Sequence, residues 1–381
     1  MALRWLEGWE TCTTEEIHLA RIYEVLSGTV GLAIDGANED AGEAISSGLL
    51  EVTTYPLVGS VQNSWIIGLA FRANDAVQIN NTAIPYVAIA NGDGEQVRFE
   101  FVDADPTSSK PGGNYYKIRV MRGATELASC DQRFHVSVEV EDWIYFEFKV
   151  TIDNSSGSFA GRWQYARKPA SNVGAPFTLT WDAASSSVDT QEQTSTGGDR
   201  FTLSMNSGSA SDAVATDDIY VADSTGSKNN DYIGKIIIEA QKPSGDGNTT
   251  DWQLADAAST QVAWDETTTA VDDDARVMSD TTSQVHLATV DALVAMTGAN
   301  TTIVGIRNDI IAHMETSGDL DIAHIWRKTT GTPAETNSGS VNVDSTTYRG
   351  SSVVLEDDPN TATDWDIADL NSYQYGVRND G

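Results

Sequence analysis

Two carboxylates on one side of a strand can serve as acid and base at a glycosidic bond, and Glu139-Val140-Glu141-Asp142 would place Glu139 and Glu141 in that way. The run does not repeat an E-x-D-x-x-E spacing, so it reads as exposed acids at a strand end. Acidic runs at Asp35 to Glu43, Asn91 to Glu95, Asp272 to Asp274 and Glu356 to Asp358 offer the oxygen ligands that Ca²⁺ takes, yet none follows the D-x-[DN]-x-[DN]-G loop. No other cofactor is expected. The five histidines are dispersed; His313 and His324 could face each other from adjacent strands, but HExxH is missing and nothing supplies a third ligand. GxSxG, a P-loop and a strand-GxGxxG-helix are missing as well, so nucleophilic, phosphoryl-transfer and dinucleotide chemistry lack residues to perform them. What remains is aromatic: Trp163, Tyr165, Trp181 and Trp252 are rings on which a sugar could stack or a second subunit could pack.

These residues sit in a chain of 381 with 23 basic and 56 acidic side chains, a net charge of −33. Residues 1–236 hold 16 bases against 32 acids and residues 237–381 hold 7 against 24, so the acidity is a property of both halves rather than of a tail. Phosphate binding needs clustered Lys and Arg, which excludes nucleic acid as an expected partner. The longest apolar runs, such as Ile66 to Phe71, are far short of the ~20 residues of a membrane helix, and no membrane insertion is expected. MALRWLEGWETC has no apolar core of a signal peptide, so export by that route is not expected either. Cys12 and Cys130 lack disulfide-scaffold or metal spacing.

Short segments rich in Val, Ile, Thr and aromatics, separated by Gly, Asn, Asp and Ser clusters, predict an all-β protein. Strands are expected at Trp65 to Arg72, Val97 to Val102, Tyr115 to Met121, Trp143 to Ile152, Phe177 to Trp181, Phe201 to Met205, Asp218 to Ala222 and Ile233 to Glu239. In Trp143 to Ile152, Glu147, Lys149 and Thr151 alternate with apolar residues, predicting one buried and one wet face. Asn91-Gly92-Asp93-Gly94 and Asn154 to Gly157 read as hairpin turns. Thr13-Thr14-Glu15-Glu16 resembles a helix capping box, and Thr363 to Asp366 could start a short helix through Leu370. Lys242 to Asn248 has the composition of a connector, beyond which six more strands follow, from Gln284 to Thr289 through Tyr373 to Arg378. A length of 381 with such a connector predicts two domains, 1–238 and a smaller β-sandwich over 239–381.

Thr216 to Glu239 (TDDIYVADSTGSKNNDYIGKIIIE) resembles a segment of tailed-bacteriophage virion structural proteins built on a concanavalin A-like (laminin-G-like) jelly-roll domain. Asp217, Asp218, Ile219, Tyr220, Val221 and Asp223 match its first strand, and Asn229, Asn230, Asp231, Tyr232, Ile233, Gly234 and Glu239 its loop and return. Leu3 to Thr11, Trp143 to Ser158 and Asp364 to Asn371 are similar to the start, the central strand and the second-domain end of such chains. The residues themselves read as a sheet corner that does no chemistry, with Asx side chains satisfying their own backbone.

The resemblance implies a non-enzymatic virion protein with a concanavalin A-like jelly roll over 1–238 and an assembly domain over 239–381. It would be mounted on the outside of the particle as capsid decoration, collar, neck, tail or fibre component, made in the host cytoplasm. Expected partners are further copies of itself, as a dimer or trimer, and other virion proteins. Host surface glycans are the partners of the alternative, an adhesin module; a glycan-degrading enzyme ranks behind both. The segment Gly161 to Asp199 is more elaborate than the hairpin such chains would have, and the expectation is an appendage making subunit contacts, with Ala183 to Gly198 removable without unfolding the monomer.

Overall fold

A computed structural model describes residues 2–9, 23–27, 31–33, 44–47, 50–73, 84–104, 115–135, 143–166, 176–177, 179–180, 187–205, 214–229, 231–239, 241, 243–255, 276–292, 302–314, 320–330, 334–343 and 346–381. Trp181, Asn230, Cys12, Glu139 to Asp142, Asp35 to Glu43, Asp272 to Asp274 and the capping-box residues lie outside them. The fold is almost wholly antiparallel β, and its contacts divide into a unit running to Glu239 and a second beginning at residue 240.

The first unit is a jelly-roll sandwich of two sheets. One runs in the order Pro176–Phe177, Ser158–Tyr165, Ile144–Thr151, Ser64–Ala73, Val214–Asp223, Ala44–Ser47, Gly31–Ala33, with Ala2–Glu7 also on Val214–Asp223. The other runs Leu179–Thr180, Thr125–Cys130, Tyr115–Arg122, Gly94–Asp103, Tyr86–Asn91, Arg200–Ser204, Glu51–Thr54, Tyr23–Ser27, with Phe134–His135 on Tyr115–Arg122. The facing sides meet in a ring lattice. Phe71 stacks on Phe101 at 4.0 Å and Phe99 on Phe148 at 4.5 Å, and Tyr116 and Phe134 extend the lattice. Such pairs add roughly 0.5–1.5 kcal/mol each beyond their buried area, which makes this the energetic centre of the unit.

Local chemistry sets the hairpins. Asn91 pairs with Gly94 across a two-residue loop, the Asn91 side chain accepts from the Asp93 amide, and Gly94 holds φ +130. At the other hairpin, Asp153 Oδ1 accepts from the Ser155 and Ser156 amides, and these bonds lower its carboxyl to about 2.

Three expectations are corrected. Ile233 to Glu239 forms no strand; it is an irregular strap fixed by single bonds to the outer side of the first sheet. Residues 187–199, expected as part of a removable appendage, are stitched into their own sandwich. Thr190 is fully buried and bonds Thr151 and Asp153, Gly198 bridges to Gln62, and buried Gln96 holds Ser195, Gly197, Glu192 and Gln193 through both ends of its amide. The expected connector is a strand, Pro243–Thr250, at the edge of the second unit's main sheet, a position where Pro and Gly are tolerated.

That sheet of the second unit runs Pro243–Thr250, Val285–Val290, Tyr373–Asn379, Asp321–Lys328, Ala334–Asn342, beside the pairs Ile306–Ala312 with Arg349–Leu355 and Gln253–Ala255 with Arg276–Met278. Its cores centre on Trp326, Trp365, Leu370 and Tyr373, and on Ile310, Met314, Ile322, Val343 and Val377. The short helix forms as Ile367–Leu370, with the Asp366 carboxylate capping the Ala368 amide.

Candidate functional site

The segment bearing the resemblance folds around a buried carboxylate. Val214–Asp223 runs beside Ser64–Ala73, and the ladder slips by one residue between Asp217 and Tyr220, leaving a bulge at Asp218 with φ +49. Asp217 Oδ1 accepts from the Asp218 amide at 2.8 Å, and the Asp218 carboxylate reaches the Ile238 amide at 2.8 Å. The bulge aims Tyr220 across Gly68 toward Glu147, whose Oε1 accepts from Tyr220 Oη at 2.5 Å and from the Gly234 amide at 2.8 Å. Arg162 Nε pairs with the other oxygen of Glu147 and its guanidinium lies 4.7 Å from the Tyr232 ring centroid. Glu147 is 2% exposed, so the face expected to be wet is here covered by the strap. Burial, and then the Glu147 charge, push the Tyr220 hydroxyl far above its ordinary range, so it acts as a fixed donor.

The remaining signature residues extend this scaffold. Asp223 is fully buried; it accepts from Arg4 at 2.7 Å and from the Thr225 amide and hydroxyl. Asn229 takes φ +49 and Gly234 φ +94 where the chain turns into the strap. Asp231, largely exposed, is 3.3 Å from Lys149 Nζ, and its carboxyl is lowered first by the Tyr232 amide. Sequence reasoning found these positions but missed Glu147, Arg162 and Gly68; a glycine inside an otherwise apolar strand was the available signal for the last.

Trp163 and Tyr165 are brought together. They point to the same side of the Ser158–Tyr165 strand, half-buried, with rings edge-to-face at 5.4 Å, and Trp163 meets Phe134 edge-on at 5.5 Å. They therefore continue the core lattice to the sandwich margin. Trp252 is partly buried against the Ile310 cluster and its indole donates to the Gln284 carbonyl.

In the second unit His313 packs on Tyr348, whereas His324 is buried with Nε2 2.9 Å from Ser351 Oγ; these contacts give the two rings different neighbours. Among the described residues no group of three His, Cys, Asp or Glu side chains is arranged to hold a metal ion. Of the candidate calcium runs, Asn91 to Glu95 spends its acids on Ser195 and Arg98, and Asp358 accepts from Tyr373 Oη and the Asn360 amide.

No family model matches the chain, and no curated protein matches it. Among solved structures it is similar to the alginate lyase vAL-1 from a Chlorella virus, at 6% identity over 58% of this chain and 100% of that one, with TM-score 0.32. The metal-free carbohydrate recognition domain of Emp46p gives 9% identity over 57% and 95%, TM-score 0.32. A Bacillus subtilis protein of galectin-like fold gives 11% over 58% and 96%, TM-score 0.32. At these values the likeness concerns the fold alone.

Proposed function

We propose that this chain is a non-enzymatic structural protein of a tailed-phage virion, mounted on the particle exterior as a homo-oligomer. The observation that carries the reading is where the signature side chains go. Asp217, Asp218, Tyr220 and Asp223 all make bonds inside the fold, locking strand, bulge and strap together. The segment responsible for the resemblance is therefore an architectural device, as a building block requires. A net charge of −33 keeps crowded particles apart and demands that subunit contacts be locally neutral or cation-bridged. Mass spectrometry of purified virions, followed by image reconstruction, tests the reading: the chain should be present in symmetric multiples, and its absence from the particle overturns it.

A second reading, a glycan-binding module for host attachment, is favoured by the half-buried pair Trp163 and Tyr165 at the sandwich margin. Rings at such a margin can stack on sugar faces. Binding of neutral oligosaccharides by the full chain in calorimetry tests it; the absence of any binding sinks it.

A further inference from the structure

Asp358, in the second unit, carries a buried oxygen that the fold leaves without a hydrogen bond. The residue is 1% exposed; its Oδ1 accepts from Tyr373 Oη and from the Asn360 amide at 2.7 Å, whereas Oδ2 accepts from no donor. Lys328 Nζ lies 3.9 Å from Oδ2, beyond hydrogen-bond reach, and 2.8 Å from Asp369 Oδ1. Each of these groups is fixed by its own element. Lys328 ends the strand Asp321–Lys328 and stands directly opposite Tyr373 in the register, with Nζ 6.0 Å from the Tyr373 ring centroid. Asp358 sits in a tight loop: its amide donates to the Thr363 carbonyl at 2.9 Å, and its carbonyl accepts from the Thr361 and Ala362 amides at 3.2 and 2.8 Å. Asp369 belongs to the capped helix Ile367–Leu370, and Tyr373 to the core of Trp326, Trp365 and Leu370.

An ion pair makes poor use of this arrangement, because a buried carboxylate is costly unless both of its oxygens are satisfied. Condensation to an amide uses every part of it. Lys328 is the nucleophile, an amine on a flexible stem close to the carboxyl carbon. The two donors on Oδ1 stand where negative charge gathers when that carbon is attacked. Oδ2, held by nothing, is the oxygen free to leave. Asp369, on the open side of Nζ, is a carboxylate placed to take a proton from it. The product also removes the fault: ammonium and buried carboxylate become one neutral amide, Oδ1 keeps both donors as its carbonyl oxygen, and the unsatisfied oxygen is gone. Holding the two groups together in a site with little water favours bond formation over hydrolysis.

We propose that Lys328 and Asp358 condense to an intramolecular isopeptide bond, with Asp369 as proton carrier. The ammonium first passes one proton to Oδ2, leaving a neutral amine and a neutral carboxyl. The Nζ electron pair attacks Cγ, Asp369 takes a second proton from Nζ and returns it to Oδ2, the Cγ–Oδ2 bond breaks, and Oδ2 leaves as water; no co-reactant is needed. The bond to Asp369 raises the Lys328 ammonium above its ordinary range, so the reaction follows folding slowly. The resulting ring encloses the strands Ala334–Asn342 and Arg349–Leu355.

Intact-mass spectrometry of the full chain, freshly purified and after prolonged incubation, tests the bond. The chain should weigh one water less than its sequence, and a tryptic digest should give a branched peptide joining Lys328 to Asp358, with no cleavage after Lys328. Lys328→Arg and Asp358→Ala should restore the full mass. Asp358→Asn should still react but release ammonia instead of water, and it carries the test if the alanine variant does not fold. Asp369→Asn should slow cross-linking tenfold or more with an unchanged circular dichroism spectrum; an equal rate overturns the role of Asp369. The full sequence mass after incubation of a folded chain overturns the bond itself. So does a water loss that maps to a succinimide at Asp93-Gly94 or Asp246-Gly247 in place of the branched peptide.

Discussion

The Tyr220 ring fills the space that a side chain at Gly68 would need: a Cβ there would lie 2.0 Å from the ring. The ring cannot yield, because its hydroxyl is held by Glu147 at 2.5 Å and it is fully buried. Gly68→Ala is therefore expected to destabilise the first unit by about 2–3 kcal/mol, at the upper end of overpacking costs, as a lower midpoint in urea unfolding. A midpoint equal to that of the parent chain would show that the bulge at Asp218 adapts more freely than its bonds imply.

Glu147 joins the strap to the sheet through three donors: Tyr220, the Gly234 amide and Arg162. Glu147→Ala leaves all of them without their acceptor and is expected to cost roughly 3 kcal/mol. Glu147→Gln retains one carbonyl oxygen and should cost less, about 1–2 kcal/mol. Limited proteolysis separates this from a diffuse loss of stability. New cleavage should fall within 231–239 in Glu147→Ala, while the hairpin at Asn91 to Gly94 stays intact.

Asp218 is a non-glycine residue at φ +49, a conformation that Asn and Asp enter more readily than other side chains. It also supplies the acceptor for the Ile238 amide. Asp218→Asn preserves both properties and should change stability by less than about 1 kcal/mol. Asp218→Ala loses the acceptor and adds backbone strain, so about 2–3 kcal/mol is expected from the same urea titration. Asp218→Gly, free of strain but lacking the acceptor, should fall between them.

What the chain shows of this fold follows from the range of each signal. The hairpin at Asn91 to Gly94 was legible because a two-residue turn is specified by the residues in it. The all-β class and most strand positions were legible from local pattern as well. Polarity misled where burial came from far along the chain. Glu147 alternates as a surface residue would, yet the strap from Asp231 to Glu239 covers it, and nothing near Glu147 in sequence announces that. Gln96 likewise looks like a solvent residue but clamps a loop about a hundred positions away. Lys242 to Asn248 reads as a connector by composition because the edge strand there, Pro243–Thr250, leaves one side of its backbone unpaired, so Pro and Gly do little damage. The alignment of Arg119, Glu100 and Tyr86 across three strands exists only through register, which no single segment encodes.

His324 makes the second unit sensitive to acid. Its ring is fully buried, with Nε2 on Ser351 Oγ and the ring stacked on Trp326, and desolvation lowers it to about 4 from the ordinary 6.5. Asp309 opposes that shift without reversing it, and His286, also buried, is lowered in the same direction. Below pH 6.5 the unfolded chain takes up protons that the folded one refuses, so stability is complete above about 6.5, falls as pH drops toward 4, and then levels for this group. A shift of this size corresponds to about 3 kcal/mol. Urea unfolding of the second unit, followed by Trp326 and Trp365 fluorescence, should therefore show a midpoint that falls between pH 7 and pH 4.5. His324→Gln should flatten most of that slope while lowering the midpoint at pH 7 by a smaller amount, the rest of the slope belonging to His286. An unchanged slope in His324→Gln would place the acid sensitivity elsewhere in the unit.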